Sequence, residues 1–384
     1  MHEGSFGLYV HWPFCQSKCP YCDFNSHVRA EIDQSRWAKA LTEEIAYFAA
    51  NTDGRPLETI FFGGGTPSLM EPVVIASVID AARREWGFSN DIEITMEANP
   101  SSVEAERFAG YAASGVNRVS LGVQSLNDDA LKFLGRQHSA ADALKAIKIA
   151  SETFNRWSLD LIYALPEQSQ LSWENELYQA LSFGSSHLSA YQLTIEPGTA
   201  FHGAHARGLF QIPEDDFAGQ LFEATQSILS SAGLLNYEIS NHAYPGQEAR
   251  HNLIYWRGGS WVGVGPGAHG RLGVNGHRTA FRQVKTPEAW ISRVEATGNG
   301  VAEKIALTAV EIGQENLMMG LRLKEGVNLD RLSFQTGLSL EALTDKSALK
   351  PLIDGGFLEL NDSHLRATAD GRQRLNAVLS RLMD

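Results

Sequence analysis

The chain's only cysteines, Cys15, Cys19 and Cys22, lie within eight residues of one another. The spacing CxxxCxxC presents three thiolates from one loop, enough for three corners of a cubane iron–sulfur cluster and too few to close it, so one iron is left open. Zinc is the competing reading. Structural zinc takes four ligands in paired arrangements, and with no second cysteine pair His11 or Asp23 would have to complete the site. An odd number of closely spaced cysteines does not build a disulfide framework, which points to a reducing compartment and a metal site. Three exposed thiols without a metal would be an oxidation liability.

The elements that position these thiols follow from the pattern of the next two hundred residues. Between residue 7 and about 235, short apolar or β-branched runs alternate with stretches of helical period, the signature of consecutive βα units building a parallel sheet. Six strands are predicted: GLYVHW (7–12), LETIFF (57–62), DIEITM (91–96), RVSLGV (118–123), SLDLIY (158–163) and HLSAYQL (187–193). Helical stretches such as 36–50, 73–86 and 221–232 separate or follow them. Six right-handed units suit an open, partial (β/α)6 barrel of the α/β class, with a doubly wound sheet as the alternative. The boundaries expected are 1–235 for this barrel, 236–305 for a Gly-rich connecting region, and 306–384 for a smaller, mainly helical domain. The stretch from Val327 reads as short helices and a hairpin, an arrangement compatible with a winged helix.

Composition restricts the partners. Of 384 residues 43% are hydrophobic, which supplies ample core, and 32 basic against 45 acidic residues give a formal charge of −13. That is the wrong sign for a protein that coats phosphate backbones, and from Val327 onward seven basic residues face eight acidic ones, so no nucleic-acid partner is expected. The opening MHEGSFGLYVHWPFC lacks a basic region followed by a long apolar one, and nowhere do ~18 uncharged apolar residues run together. A soluble, cytoplasmic protein is expected.

Parallel α/β folds place their ligand sites at the C-terminal ends of the strands. The residues there are His11 to Cys22, Gly63-Gly64-Gly65-Thr66, Glu97 and Asn99, Gln124, Asp160 and Thr194. Each alone is as well explained as a turn former. Together, on one face, they make a candidate site.

The segment YVHWPFCQSKCPYCDF closely resembles the opening motif of radical S-adenosylmethionine (SAM) proteins, in particular the oxygen-independent coproporphyrinogen oxidase group. The resemblance continues through GGGTP, MEANP, GVQS, GRQH, LDLIYALP and a C-terminal domain like that group's. It implies a 4Fe-4S cluster on the three cysteines whose open iron is chelated by the methionine end of SAM; reduction can then cleave the sulfonium to a 5′-deoxyadenosyl radical. Carried over by position, it implies that Tyr9 and Tyr21 flank this cofactor and that Gly64, Gly65 and Thr66 approach its methionine end. Glu97, Gln124, Arg136 and Asp160 would meet its ammonium, carboxylate and ribose groups, with Thr194 and Ala268 near the adenine. Without the resemblance, Arg136 reads as a solvated helix residue and Asp160 as a buried carboxylate paired elsewhere.

Two departures separate the chain from the oxidases. Cys22 is followed by Asp23 and Phe24 where the oxidase pattern has a further cysteine, and only 14 residues precede Cys15 where the oxidases carry a long N-terminal arm. Instead, His251-Asn252-Leu253-Ile254-Tyr255-Trp256 resembles the HNxxYW motif of the group's haem-chaperone branch. A neutral imidazole can take an axial position on haem iron, and flat aromatic rings can cover a porphyrin face. The resemblance thus implies haem bound by His251, Asn252, Tyr255 and Trp256, with His242 and His269 as substitute ligands. Without it, His251 reads as a hydrogen-bonded structural residue and the Tyr-Trp pair as core. The expected function is a haem chaperone delivering to respiratory apoproteins at the inner membrane, peripheral to that membrane, with a homodimer as one assembly to be tested. A coproporphyrinogen III oxidase and a radical-dependent haem-modifying enzyme are the alternatives, so catalysis stays open.

Overall fold

Strands β1 (Phe6–Trp12), β2 (Leu57–Gly64), β3 (Phe88–Ala98), β4 (Arg118–Gln124), β5 (Arg156–Tyr163) and β6 (His187–Gln192) pair in sequence order, all parallel. This computed structural model describes residues 5–52, 54–274 and 276–383. The six predicted strands are all present, each within a few residues of its expected bounds. Their outward side chains are apolar, and helices α1 (Gln34–Ala49), α2 (Pro72–Trp86), α3 (Phe108–Ala113), α4 (Ala140–Thr153), α5 (Gln170–Ser182) and α6 (Asp215–Ser231) supply the other half of that core. Leu8, Val10, Trp12, Ile60, Phe62, Ile94, Met96, Leu159 and Leu161 are buried between sheet and helices. The helix starts are chemically marked; Ser139 and Asp142, for example, form a reciprocal capping box on α4.

The inward side chains are unusually polar. Thr59, Glu93, Thr95, Glu97, Arg118, Ser120, Ser158 and Asp160 alternate with the apolar set along β2 to β5, as the two-residue period of a strand requires. The sheet curves around a polar interior and stays open: its order is linear, β12-β11-β10-β9-β1-β2-β3-β4-β5-β6-β8-β7. The remaining strands are β7 (Leu235–Asn236), β8 (Asn241–Ala243), β9 (Ser260–Val264), β10 (His269–Val274), β11 (His277–Gln283) and β12 (Val301–Ala306).

The region 236–305, expected to connect the barrel to the C-terminal domain, carries strands of the same sheet. β9 pairs in parallel with β1, and β10 to β12 extend the same sheet antiparallel, while β8 and β7 continue its other edge. The glycines disguised these strands, because glycine is depleted in strands and marks turns. Between β8 and β9 the motif HNLIYW forms a short helix, α7 (Arg250–Trp256).

After α8 (Pro287–Thr297) and α9 (Ala309–Gly320), a second core gathers around Leu317, Leu321, Leu332, Leu358, Leu365 and Leu379. Its elements run β13 (Val327–Asn328), three helices beginning with α10 (Leu329–Thr336), then the hairpin β14 (Leu358–Leu360) and β15 (His364–Ala367), with sheet order β13-β15-β14. That is winged-helix connectivity. Among the described residues no helix is long and apolar enough to cross a membrane.

Candidate functional site

The strand ends open onto a cavity of about 540 Å³, lined by all three cysteines together with Gly64, Gly65, Thr66, Glu97, Gln124, Arg136, Asp160, Tyr21 and Thr194. The cysteine loop leaves β1 and crosses the mouth of the barrel. His11 Nε2 meets the Asn25 carbonyl at 2.9 Å, and Asn25 in turn donates to the Pro266 and Lys285 carbonyls, each at 2.9 Å. On the far side Phe201 donates to the Pro20 carbonyl, and the Tyr21 ring lies 6.3 Å from that of Phe201. Both ends of the loop are therefore tied to strands or helices that the sheet has already fixed.

Glycine at 64 and 65 is required by packing against β1. A Cβ on Gly64 (φ +112°) would sit 2.5 Å from the His11 ring, and one on Gly65 2.6 Å from the Phe14 carbonyl oxygen. The N–H groups here are spent inside the protein: Gly64 donates to Glu97 Oε2, Gly65 to the Trp12 carbonyl and Thr66 to the Phe14 carbonyl. The segment's other backbone polar groups are carbonyl oxygens. Gln124 adds a second backbone feature, a non-glycine φ of +67° at a register break between β4 and β5, a conformation that turns it over the cavity at a cost in strain.

Charge is stored in this pocket. Glu97 and Asp160 are half-buried in the cavity wall; burial first, and then the repulsion of Asp160, push the Glu97 carboxyl up to about 8, and burial likewise raises Asp160. Ser120 donates to both Asp160 oxygens at 3.1 and 3.2 Å. Arg136 reaches the cavity from the segment that follows a short helix, Asp128–Phe133, between β4 and α4. Its Nη2 donates to Asn99 Oδ1 at 2.6 Å and to the Gly122 carbonyl at 2.9 Å, its Nη1 to Cys19 Sγ at 3.4 Å, and its Nε is buried with no partner among the described residues. Thr66 donates to Cys15 Sγ, also at 3.4 Å.

These observations fit an anionic, thiolate-held group at the loop. Two donors already aim at two of the sulfurs, and a buried guanidinium beside them lacks a full set of acceptors, which is costly unless negative charge arrives. Among the described residues no three His, Cys, Asp or Glu side chains converge on a single-ion site. The three thiols line a common cavity.

Tyr9 and Ala268 do not join the cavity lining. Tyr9 points from β1 into the sheet interior, where its hydroxyl meets His11 Nδ1 at 2.9 Å. Ala268 is buried in the turn before β10, its N–H donating to the Gly265 carbonyl. Several lining residues escaped the sequence reading. Glu104 is buried beside Ser68 and accepts from the Asn99 N–H at 2.9 Å, while His138, its pKa pushed down to about 4 by burial and by Arg136, bonds the Val123 carbonyl. His138 closes the quoted GRQH segment and could have been found there; Glu104 and Tyr191 carry no comparable sequence signal.

The HNLIYW residues divide between two places. His251, 1% exposed, faces the lower end of the barrel with both ring nitrogens engaged, Nδ1 with Thr59 Oγ1 at 2.7 Å and Nε2 with the Tyr255 hydroxyl at 2.6 Å. Its ring stacks on Phe61 with centroids 5.2 Å apart, the Arg250 and His251 N–H groups donate to Glu93 Oε1, and burial lowers its pKa to about 3. In this arrangement both nitrogens of the imidazole are engaged within the protein. Asn252 is half-buried on α7. Of the substitutes, His242 is fully buried in β8 and His269 is exposed on β10. Trp256 points the other way, into a second cavity of about 800 Å³ between α7 and the C-terminal domain, with the Arg322 guanidinium 4.8 Å from its ring.

Residues 9–176 match the model of the radical SAM superfamily and residues 307–374 that of the HemN C-terminal domain. The heme chaperone HemW of Escherichia coli K12 is 38% identical over 376 residues, covering 97% of this chain and 96% of its own. The mitochondrial radical S-adenosyl methionine domain-containing protein 1 of Bos taurus is 37% identical over 383 residues, covering 98% and 87%. Among solved structures, the radical SAM enzyme coproporphyrinogen III oxidase (HemN) of Escherichia coli superposes with a TM-score of 0.82 over 99% of this chain and 90% of its own, at 23% identity, a likeness of fold.

Proposed function

This chain belongs to the radical SAM family that includes the HemW haem chaperones, and on that premise we propose that it binds haem and passes it to haem-requiring apoproteins. Its strand-end cavity serves a 4Fe-4S cluster and SAM. The observation that carries this reading is the coexistence, in one chain, of a charged three-thiol cavity with near full-length likeness to haem carriers.

Cys15, Cys19 and Cys22 would hold the cluster, and when bound it supplies one-electron chemistry to a sulfonium. The chain's own residues bind and orient. Glu97 and Asp160 offer carboxylate oxygen to ammonium and hydroxyl groups, Gln124 an amide, and Arg136 a fixed positive charge. Thr66 and Arg136 donate to the sulfurs of Cys15 and Cys19 and so moderate their basicity. Where a radical oxidase's loop has a further cysteine, Asp23 and the 57% exposed Phe24 stand at the mouth of the cavity, which favours the carrier over the oxidase. We place the protein in the cytoplasm, delivering to respiratory apoproteins at the inner membrane, peripherally and as a homodimer.

The deciding test gives the anaerobically reconstituted protein haem, coproporphyrinogen III and SAM in parallel. Bound haem that moves to the apo form of a b-type cytochrome, with coproporphyrinogen unchanged, is the expected result. Conversion of coproporphyrinogen with consumption of SAM would establish the oxidase instead.

A further inference from the structure

We propose that the cavity between α7 and the C-terminal domain is the haem receptor, a site for a planar macrocycle bearing carboxylates, with His364 as the iron ligand and Trp256, Phe334 and Arg331 as its other principal contacts. The proposal rests on the haem-carrier reading above and relocates the ligand within it.

Size comes first: about 800 Å³ lies inside the ordinary range for pockets that enclose an organic ligand. The lining then supplies the parts. Val327 and Leu332 form an apolar floor, and the indole of Trp256 stands beside them with its Nε1 buried and unpartnered among the described residues. Phe334 on α10 lines the lip and is 67% exposed. A phenyl ring left in water forgoes most of the stabilisation of burial, and a flat apolar ligand laid across it would recover that.

His364, at the start of β15, has the geometry of a ligand in waiting. Its Nδ1 is held by Ser363 Oγ at 2.9 Å, and its Nε2 has no hydrogen-bond partner among the described residues. One nitrogen oriented and the other open is how metal-binding imidazoles are usually presented. His251 is the opposite case, with both nitrogens spent inside the barrel.

Charge fixes the orientation. Arg257 is engaged twice by Glu325, at 2.7 and 3.0 Å, whereas half-buried Arg331 has no hydrogen-bonded carboxylate among the described residues, and burial and then the repulsion of Arg257, partly offset by Glu325, lower its pKa. One carboxylate of the ligand therefore belongs at Arg331. Glu58 and Asp330 also line the cavity and would turn a second carboxylate toward solvent.

The test titrates hemin into the full-length protein and follows the Soret band in wild type, His364→Ala, Arg331→Ala and His251→Gln, with circular dichroism checking each fold. Expected is an apparent Kd weakened about tenfold or more in His364→Ala together with a changed ligand-field spectrum, a loss of about three- to tenfold in Arg331→Ala, and binding retained in folded His251→Gln. Metal-free protoporphyrin should bind wild type and His364→Ala alike, because it has no iron to ligate, and still be weakened by Arg331→Ala. Hemin binding unchanged in His364→Ala overturns the proposal while leaving the carrier reading standing, and the same holds if folded His251→Gln loses hemin. A wild-type protein that takes up no hemin overturns the carrier reading itself.

Discussion

The two ends of the barrel each carry a sequence motif and are built on opposite principles. At the carboxyl ends of the strands, polar groups are left partly unspent: Glu97 and Asp160 line one cavity and repel each other, Arg136 Nε lacks an acceptor among the described residues, and three thiols share the lining. At the other end the groups around His251 and Glu93 are consumed. His251 is bonded at both nitrogens, Glu93 receives two backbone N–H groups and the Arg156 guanidinium, and the rings of Tyr9, Phe61 and Tyr255 close around the imidazole. Unsatisfied buried groups are expensive and persist where a ligand completes them, whereas a saturated network stabilises a packed structure. The difference teaches that a residue of a motif can be spent on the fold, as His251 is by Thr59 and Tyr255.

The largest expected effect is at the cysteines. Anaerobic reconstitution of wild type should approach about four iron and four sulfide per chain, and Cys19→Ser should lose nearly all of both; stoichiometric zinc in their place would break the contrast between the two ends. At the saturated end, His251→Ala should cost about 2 to 4 kcal/mol in chemical denaturation, because it opens a cavity and strands Thr59 and Tyr255 without partners. A loss under ~0.5 kcal/mol would mean that the network is not structural.

Gly65→Ala should cost about 1 to 3 kcal/mol by pressing a methyl group against the Phe14 carbonyl, and the strained segment should bind SAM more weakly in equilibrium dialysis. The pH profile of stability separates the ends further. Glu97 is raised from 4.5 to about 8, so the folded state holds the extra proton and stability falls as pH rises across that window. His251 is lowered from 6.5 to about 3, so the unfolded state binds the extra proton and stability falls as pH drops across that lower window. Glu97→Gln should flatten the alkaline limb and His251→Gln the acid limb, each by at most about 1.4 kcal/mol per pH unit. The smallest effect is expected at Phe334→Ser, which should change stability by less than ~0.5 kcal/mol because its ring is already in water.

What the sequence determined by itself was whatever depends on local order. Period-two runs bounded by helical stretches located all six parallel strands, and because side chains at strand ends share one face of a parallel sheet, Glu97, Gln124, Asp160 and the cysteines could be assigned to one pocket before any coordinates. Tertiary structure decided what depends on direction and company. The Gly-rich stretch from Ser260 to Ala306 became sheet because β1 offered it an edge to pair with. His251 and Trp256 point to different sides of α7, since residues five apart on a helix are turned about 140° from each other, so Trp256 lines a cavity with residues some 70 to 110 positions away while His251 is sealed inside the barrel. No local pattern marks His364 as facing that cavity, because Arg331, Phe334 and Trp256 become its neighbours only when the C-terminal domain packs against α7.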